Sequence, residues 1–241
     1  MVSAAARPEL ADGAIAGGER ELKFLLPSAR ADIARRWLDR VCRRDAEYPA
    51  AVVWTIYYDT PHLASLGEKI NSDYLKRKIR VRWYSDLDGT VSGPAFVEAK
   101  SRVGNRRIKA RAVLASPAAE IARWGLQDRR LLAFPLRLQE HGINARELWQ
   151  PLMLIRYRRD RFVDRSSGCR VSLDSEIAPV AVNPRFVSAA APLQLPSAVL
   201  EVKGAADELP PALRGLLQLG IRESSFSKQL AVYMHMTGQM F

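Results

Sequence analysis

Cysteine is scarce in this chain. Cys42 and Cys169 are the only two, and no Cys-x-x-Cys pair exists. A disulfide framework and a cysteine-based zinc site are thereby excluded, and two reduced thiols are the expectation. Histidine is nearly as rare. His62, His141 and His235 are scattered, with no His-Glu-x-x-His and no His-Arg-Asp. Long apolar runs are missing too, and nothing approaches the roughly 18 residues of a membrane-spanning helix. The Ala/Gly-rich opening carries Arg7, Glu9 and Asp12 where a secretion signal needs an apolar core. A cytoplasmic location is the expectation. The chain also lacks a Walker A string, Gly-x-Gly-x-x-Gly and Gly-x-Ser-x-Gly. Any phosphate chemistry must therefore use Arg, Lys and a carboxylate-bound metal, without a Gly-rich loop.

Acidic residues are the minority charge: 26 Asp+Glu stand against 37 Lys+Arg, a net charge of +11 over 241 residues. Such a balance implies a polyanionic partner, whether nucleic acid, acidic lipid or a phosphate-rich small molecule. Nearly half the residues are apolar, enough for a sizeable core.

Residues 1–18 are expected to form a flexible tail, followed by one domain over 19–241. Glu19 to Leu26 reads as a strand stopped by Pro27. Ser28 is placed to N-cap a helix over Ala29 to Arg44. Val52 to Tyr58 is β-branched and aromatic, hence a strand. His62 to Ile70 reads as a short helix. Ile79 to Tyr84, Ala95 to Ser101 and Arg107 to Leu114 read as strands, with turns at Asp86–Gly89 and Val103–Asn105. Ser116 and Pro117 mark a helix start, and the pattern stays helical to Trp149. Strands resume at Leu152 to Val163, Cys169 to Asp174 and Ala198 to Lys203, with Ala178 to Pro196 as a Pro/Ala-rich loop. Pro210 to Leu219 and Lys228 to Met236 read as closing helices.

The strands carry the chemistry. Side chains at i and i+2 share a strand face. Six stretches place charges that way: Glu19/Glu21/Lys23, Lys78/Arg80/Arg82, Glu98/Lys100, Lys109/Arg111, Arg156/Arg158 and Glu201/Lys203. Any one of them also reads as a solvated strand face. Six together suggest a barrel with a charged interior that binds a polyanion with a metal. Glu19 and Glu21 would repel as neighbours on one face, and a hard cation such as Mg²⁺ or Mn²⁺ relieves that repulsion. Arg forks match phosphate oxygens. Asp174 stands at a strand end as a turn carboxylate or a further metal ligand. Trp83 or Tyr84 could stack on a base, but the aromatics do not share a polar strand face, so no specific nucleic-acid partner is expected.

In order, the chain carries Glu19-Arg-Glu-Leu-Lys-Phe24, Ile56-Tyr-Tyr-Asp-Thr-Pro61, Lys78-Ile-Arg-Val-Arg-Trp-Tyr84 and Phe96-Val-Glu-Ala-Lys100. Tyr157-Arg-Arg159, Val171-Ser-Leu-Asp174, Val199-Leu-Glu-Val-Lys203 and Phe226-Ser-Lys228 follow. This series resembles the VTC domain, the polyphosphate polymerase module of the vacuolar transporter chaperone complex and its bacterial relatives. That domain is one of the CYTH-like triphosphate tunnel metalloenzymes. The resemblance implies an α+β fold, an antiparallel β-barrel (a triphosphate tunnel) with helices packed outside. It implies transfer of the ATP γ-phosphoryl group to a growing polyphosphate chain, with Mn²⁺ or Mg²⁺.

Carried over by motif, Lys23, Arg80, Arg82, Lys100, Lys203 and Lys228 match the family's basic phosphate-handling positions. The Tyr-x-Arg pattern adds Arg159, while strand alternation leaves Arg156 and Arg158 as rivals. Glu201 matches the metal carboxylate, with Glu19, Glu21, Glu98 and Asp174 as further candidates. Lys78, Lys109 and Arg111 join Arg156 and Arg158 as substrate-binding candidates.

Two departures stand out. Ser225 occupies a position where the eukaryotic polymerase has a second Lys. Glu19 and Glu21 are both kept, as in hydrolytic tunnel enzymes. Hydrolysis of triphosphate or nucleoside triphosphate, and a non-catalytic polyphosphate or nucleotide sensor, are therefore the alternatives. Translocation of a product would need a separate membrane protein.

Overall fold

The computed structural model describes residues 20–71, 73–103, 106–143, 145, 147–187 and 193–238. The expected tail over 1–18, Glu19 and the tip of the 103–105 turn lie outside these residues.

Among the described residues, ten strands and four α-helices follow one another in a mixed α+β arrangement. In order they are β1 (Arg20–Pro27), α1 (Ala31–Val41), β2 (Cys42–Arg44), β3 (Ala50–Asp59) and α2 (Ala64–Ile70). Then come β4 (Leu75–Ser85), β5 (Pro94–Val103), β6 (Arg106–Pro117), α3 (Ala118–Ile121), β7 (Gln150–Asp164) and β8 (Arg170–Val182). The chain closes with β9 (Ser197–Gly204), β10 (Arg222–Glu223) and α4 (Lys228–Thr237). All ladders are antiparallel, and one hydrogen-bonded path runs β10-β1-β9-β8-β7-β3-β4-β5-β6. This corrects the expected barrel. Among the described residues no ladder joins β1 or β10 to β6, so the sheet is open at a seam and is not a closed barrel.

The period-2 pattern decides which face is covered. Phe24 and Leu26 of β1, with Leu200 and Val202 of β9, pack against Ala34 and Leu38 of α1 and against Leu213 and Leu216. Ile79, Val81 and Trp83 of β4, with Val97 and Ala99 of β5, pack under Ile121, Leu131 and Leu138. The apolar face of each strand thus lies beneath an outer layer of helical turns, and the charged residues between them point the other way. A third cluster joins Val53, Tyr57, Ile155, Tyr157 and Val199 to Leu66 of α2 and to Val232 and Tyr233 of α4.

Several local expectations change. The helix expected over 29–44 is α1, preceded by a 3-10 turn at Ser28–Arg30, and Ser28 makes no side-chain cap. Cys42 to Arg44 leave the helix to pair with β7. The helical stretch expected from Ser116 is instead strand as far as Pro117, then the single turn α3, then a 3-10 segment Arg129–His141 that contains Pro135. Proline inside a regular α-helix would remove a hydrogen bond and clash with the preceding turn. Pro211–Leu219 is also 3-10. The loop expected from Ala178 is strand to Val182, and Pro179 sits opposite Ile155 beside a register shift, where a strand tolerates proline.

Candidate functional site

The charged faces of these strands meet on the concave side of the sheet. Lys100 on β5 lies 3.5 Å from Glu21 on β1, although the two strands are far apart along the hydrogen-bonded path. Lys228 on α4 reaches Asp174 and Glu201 from across the same space. These contacts require the sheet to curl with its charged face inward, and they overturn the solvated-face reading for this set.

Strand register arranges the charges in rungs. Arg80, Glu98 and Arg111 are directly opposed on β4, β5 and β6. Glu98 accepts from Arg80 at 2.6 Å and lies 3.5 Å from both Arg82 and Arg111. Lys23 opposes Glu201, and Glu21 opposes Lys203, on β1 and β9. Glu21 is 3.5 Å from Lys23 and 3.7 Å from Lys203. Burial alone would raise the Glu21 and Glu98 carboxyls, but the surrounding cations hold both down at about 2.

At the centre, Arg159 grips Asp174 through two hydrogen bonds of 2.6 and 2.7 Å. Glu201 lies 3.7 Å from Arg159, 3.6 Å from Lys203 and 3.4 Å from Lys228. Asp174 is fully buried and Glu201 nearly so. Burial opposes their ionisation, yet Lys228 and Arg159 hold Glu201 well below the usual carboxylate range. β8 carries a register shift here, with Glu176 in the left-handed region at φ 56, and Asp174 stands opposite Arg159.

The middle-strand ambiguity resolves by alternation. Tyr157 and Arg159 face inward. Arg158 faces outward and bonds Asp160 at 3.0 and 3.1 Å, with Arg35 of α1 and Arg44 of β2 on the same carboxylate. Arg156 is exposed. Arg156 and Arg158 are therefore not brought to the concave wall. Lys109 is exposed and follows Lys78 and Lys100 in the next rung along the sheet.

Tyr157, Ser227, Lys69 and Ser225 also join the site, and of these only Ser225 stands out in the sequence as a departure from the family pattern. Arg82 donates to the Tyr157 hydroxyl at 3.4 Å, and Arg159 and Lys228 lie over the Tyr157 ring at 5.5 and 4.9 Å. Burial raises the Tyr157 phenol, but Arg82, Arg159 and Lys228 together bring it below its ordinary value. Ser227 caps α4 and accepts from Lys78 at 3.0 Å. Lys69 of α2 donates to Ser225 at 3.4 Å. Alternation alone could have found Tyr157, two residues from Arg159. Ser225 and Ser227 lie at the Phe226-Ser-Lys228 motif, but nothing in the sequence pairs them with Lys69 and Lys78, because distant elements bring those contacts about.

The carboxylates fit a hard cation by donor type. Among the described residues, however, no three Asp, Glu, His or Cys side chains gather as a ready-made metal cage. Glu98 is surrounded by arginines, and Asp174 is clamped by Arg159 and Lys228. Glu201 and Glu21 are also held by cations but share Lys23 and Lys203, and this pair would anchor Mg²⁺ or Mn²⁺ with phosphate oxygens and water completing the coordination. Mg²⁺ is commonly bound this way, through one or two carboxylates plus substrate phosphates.

The described residues contain no helix long and apolar enough to cross a membrane. No match to this chain was found among curated protein sequences. Among solved structures, a candidate adenylate cyclase from Vibrio parahaemolyticus is 12% identical with a TM-score of 0.46, covering 89% of this chain and 97% of its own. A second candidate adenylate cyclase, from Bacillus halodurans, is 11% identical with a TM-score of 0.48, covering 87% and 92%. The family model for the VTC domain matches residues 19–237, nearly the whole chain, and the chain belongs to the VTC domain family.

Proposed function

We propose that this chain is a metal-dependent polyphosphate polymerase. It moves the γ-phosphoryl group of ATP onto the end of a polyphosphate chain held along the concave wall. A terminal phosphate oxygen of the acceptor forms the new P–O bond, the bond between the β- and γ-phosphates breaks, and ADP leaves. One observation carries the reading: in a VTC-family chain, Lys23, Lys78, Arg80, Arg82, Lys100, Arg111, Arg159, Lys203 and Lys228 share an inward wall with only four described carboxylates.

The excess of cations suits phosphoryl transfer, where the protein's work is positioning and charge neutralisation. Arg80 and Arg82 would hold successive phosphates through bidentate contacts. Arg159 and Lys228 are fixed by Asp174, so their charges are oriented before substrate arrives. Lys203 and Lys23 sit beside Glu201, where the cation would be shared with substrate. When bound, Mn²⁺ or Mg²⁺ neutralises phosphate oxygens.

A second reading, triphosphate hydrolysis, is favoured by Glu21, an ionised carboxylate on the wall that could orient a water. Incubating the purified protein with ATP and Mn²⁺, and separately with triphosphate, then resolving products on a gel, tests both. Long polyphosphate supports polymerisation. Orthophosphate alone supports hydrolysis. Tight binding without turnover assigns a sensor.

A further inference from the structure

Most cations of the wall have a carboxylate within ion-pair reach, but two on one flank do not. Lys78 and Lys69 form no ion pair among the described residues; their polar partners are the hydroxyls of Ser227 and Ser225. Register places Lys78 directly opposite Lys100, and Lys100 directly opposite Lys109. Like charges directly opposed on neighbouring strands are destabilising. Arg80, Lys23 and Lys69 crowd Lys78 further, and Lys76 and Lys23 crowd Lys69. Burial and these neighbours push the Lys78 amine down to about 7 and lower that of Lys69. The fold thus holds two half-buried amines together, each beside a hydroxyl, in an arrangement that an anion would relieve.

This flank is also displaced from the centre. Two residues along a strand advance about 6.6 Å, so Lys78 stands about 13 Å from Arg82 along β4. That exceeds the span of the three phosphorus atoms of a triphosphate. Lys69 and Lys78 therefore carry the basic wall beyond the stretch of β4 backbone that one triphosphate's phosphorus atoms span from Arg82.

We infer that Lys69, Lys78, Ser225 and Ser227 form a separate phosphate subsite, which takes a later unit of a polyphosphate chain and makes Lys69 a determinant of chain length. The inference rests on the polyphosphate reading above. The lysines supply charge, and the hydroxyls supply neutral donors able to rotate onto successive phosphate oxygens.

Calorimetric binding of tripolyphosphate and of long-chain polyphosphate to the full chain tests it, using wild type, Lys69→Gln and Lys69→Arg. Lys69→Gln should weaken long-chain binding about tenfold, as expected for one lost charge-assisted contact, and change tripolyphosphate binding less than about twofold. Lys69→Arg should restore the long-chain affinity. Equal loss for both ligands, or no loss for either, overturns the subsite while leaving the polyphosphate reading intact. Failure of the wild type to bind either ligand overturns that reading, and the subsite with it.

Discussion

Lys100 and Glu21 stand 3.5 Å apart although five strands lie between β5 and β1 along the ladder. Lys100 is 47% exposed, so the pair contributes at most about 1 kcal/mol and does not hold the curl. The curl rests on strand twist and on the apolar faces packed beneath the outer helices. What Glu21 contributes is charge balance, since Lys23 and Lys203 share it.

Neutralising that carboxylate separates its two roles. Glu21→Gln should tighten metal-free polyphosphate binding by about 0.5–1 kcal/mol, because three lysines lose their counter-charge. With Mn²⁺ present, turnover of ATP should fall at least about tenfold, the loss of roughly 1.4 kcal/mol of transition-state stabilisation. Unchanged turnover across a Mn²⁺ titration would remove Glu21 from the metal site.

Neighbouring arginines should behave oppositely. Arg159→Ala removes an inward guanidinium and should weaken tripolyphosphate binding by about 1.5–3 kcal/mol. Arg158→Ala disturbs only the outer contact with Asp160, so binding should stay within about twofold of wild type once folding is confirmed. Comparable losses in both variants would contradict the face assignment.

Asp174 is a structural pivot. Asp174→Asn leaves Arg159 and Lys228 buried without their main counter-ion, and should destabilise the fold by about 3–5 kcal/mol in denaturant unfolding. A loss below about 1 kcal/mol would mean that Glu201 alone suffices to balance both cations.

Acid stability follows from Glu21 and Glu98. Both carboxyls lie at about 2 in the fold against an ordinary 4.5. Their stabilising contribution is full above the unfolded value and is lost as pH falls from 4.5 toward 2. Thermal melts should therefore drop steeply over that window, and Glu98→Gln should flatten the drop.

Lys78 shows the reverse sign. Its amine lies at about 7 in the fold against an ordinary 10.5. Between those values the unfolded chain binds more protons, so stability rises with pH, and the penalty is full below pH 7. Lys78→Met should raise the melting temperature at pH 7 by a few degrees, for about 1 kcal/mol gained, while weakening polyanion binding. A lowered melting temperature would show that packing around the Lys78 stem outweighs its charge.

Much of this was legible in the chain order of residues. Alternation in β1, β4 and β9 puts Lys23, Arg80 and Arg82, Glu201 and Lys203 on the charged face of their strands, and without a Gly-rich loop those charges are the groups left to meet phosphate. Alternation also told Arg159 from Arg158 once the partner of either was known. Periodicity failed where tertiary context overrode it. Cys42 to Arg44 left a helical pattern because β7 offered a pairing edge, and Pro135 turned a helical pattern into 3-10 structure.

The sequence by itself determined the strands, their charged faces and the family, because strand geometry ties every second residue to one side. The tertiary structure alone decided which of those residues meet across the curled sheet, that among the described residues the sheet stays open at its seam, and that Lys69 and Ser225 from remote segments meet on one flank. Curl, closure and meeting points depend on contacts between elements far apart in sequence, and no local pattern of residues encodes them.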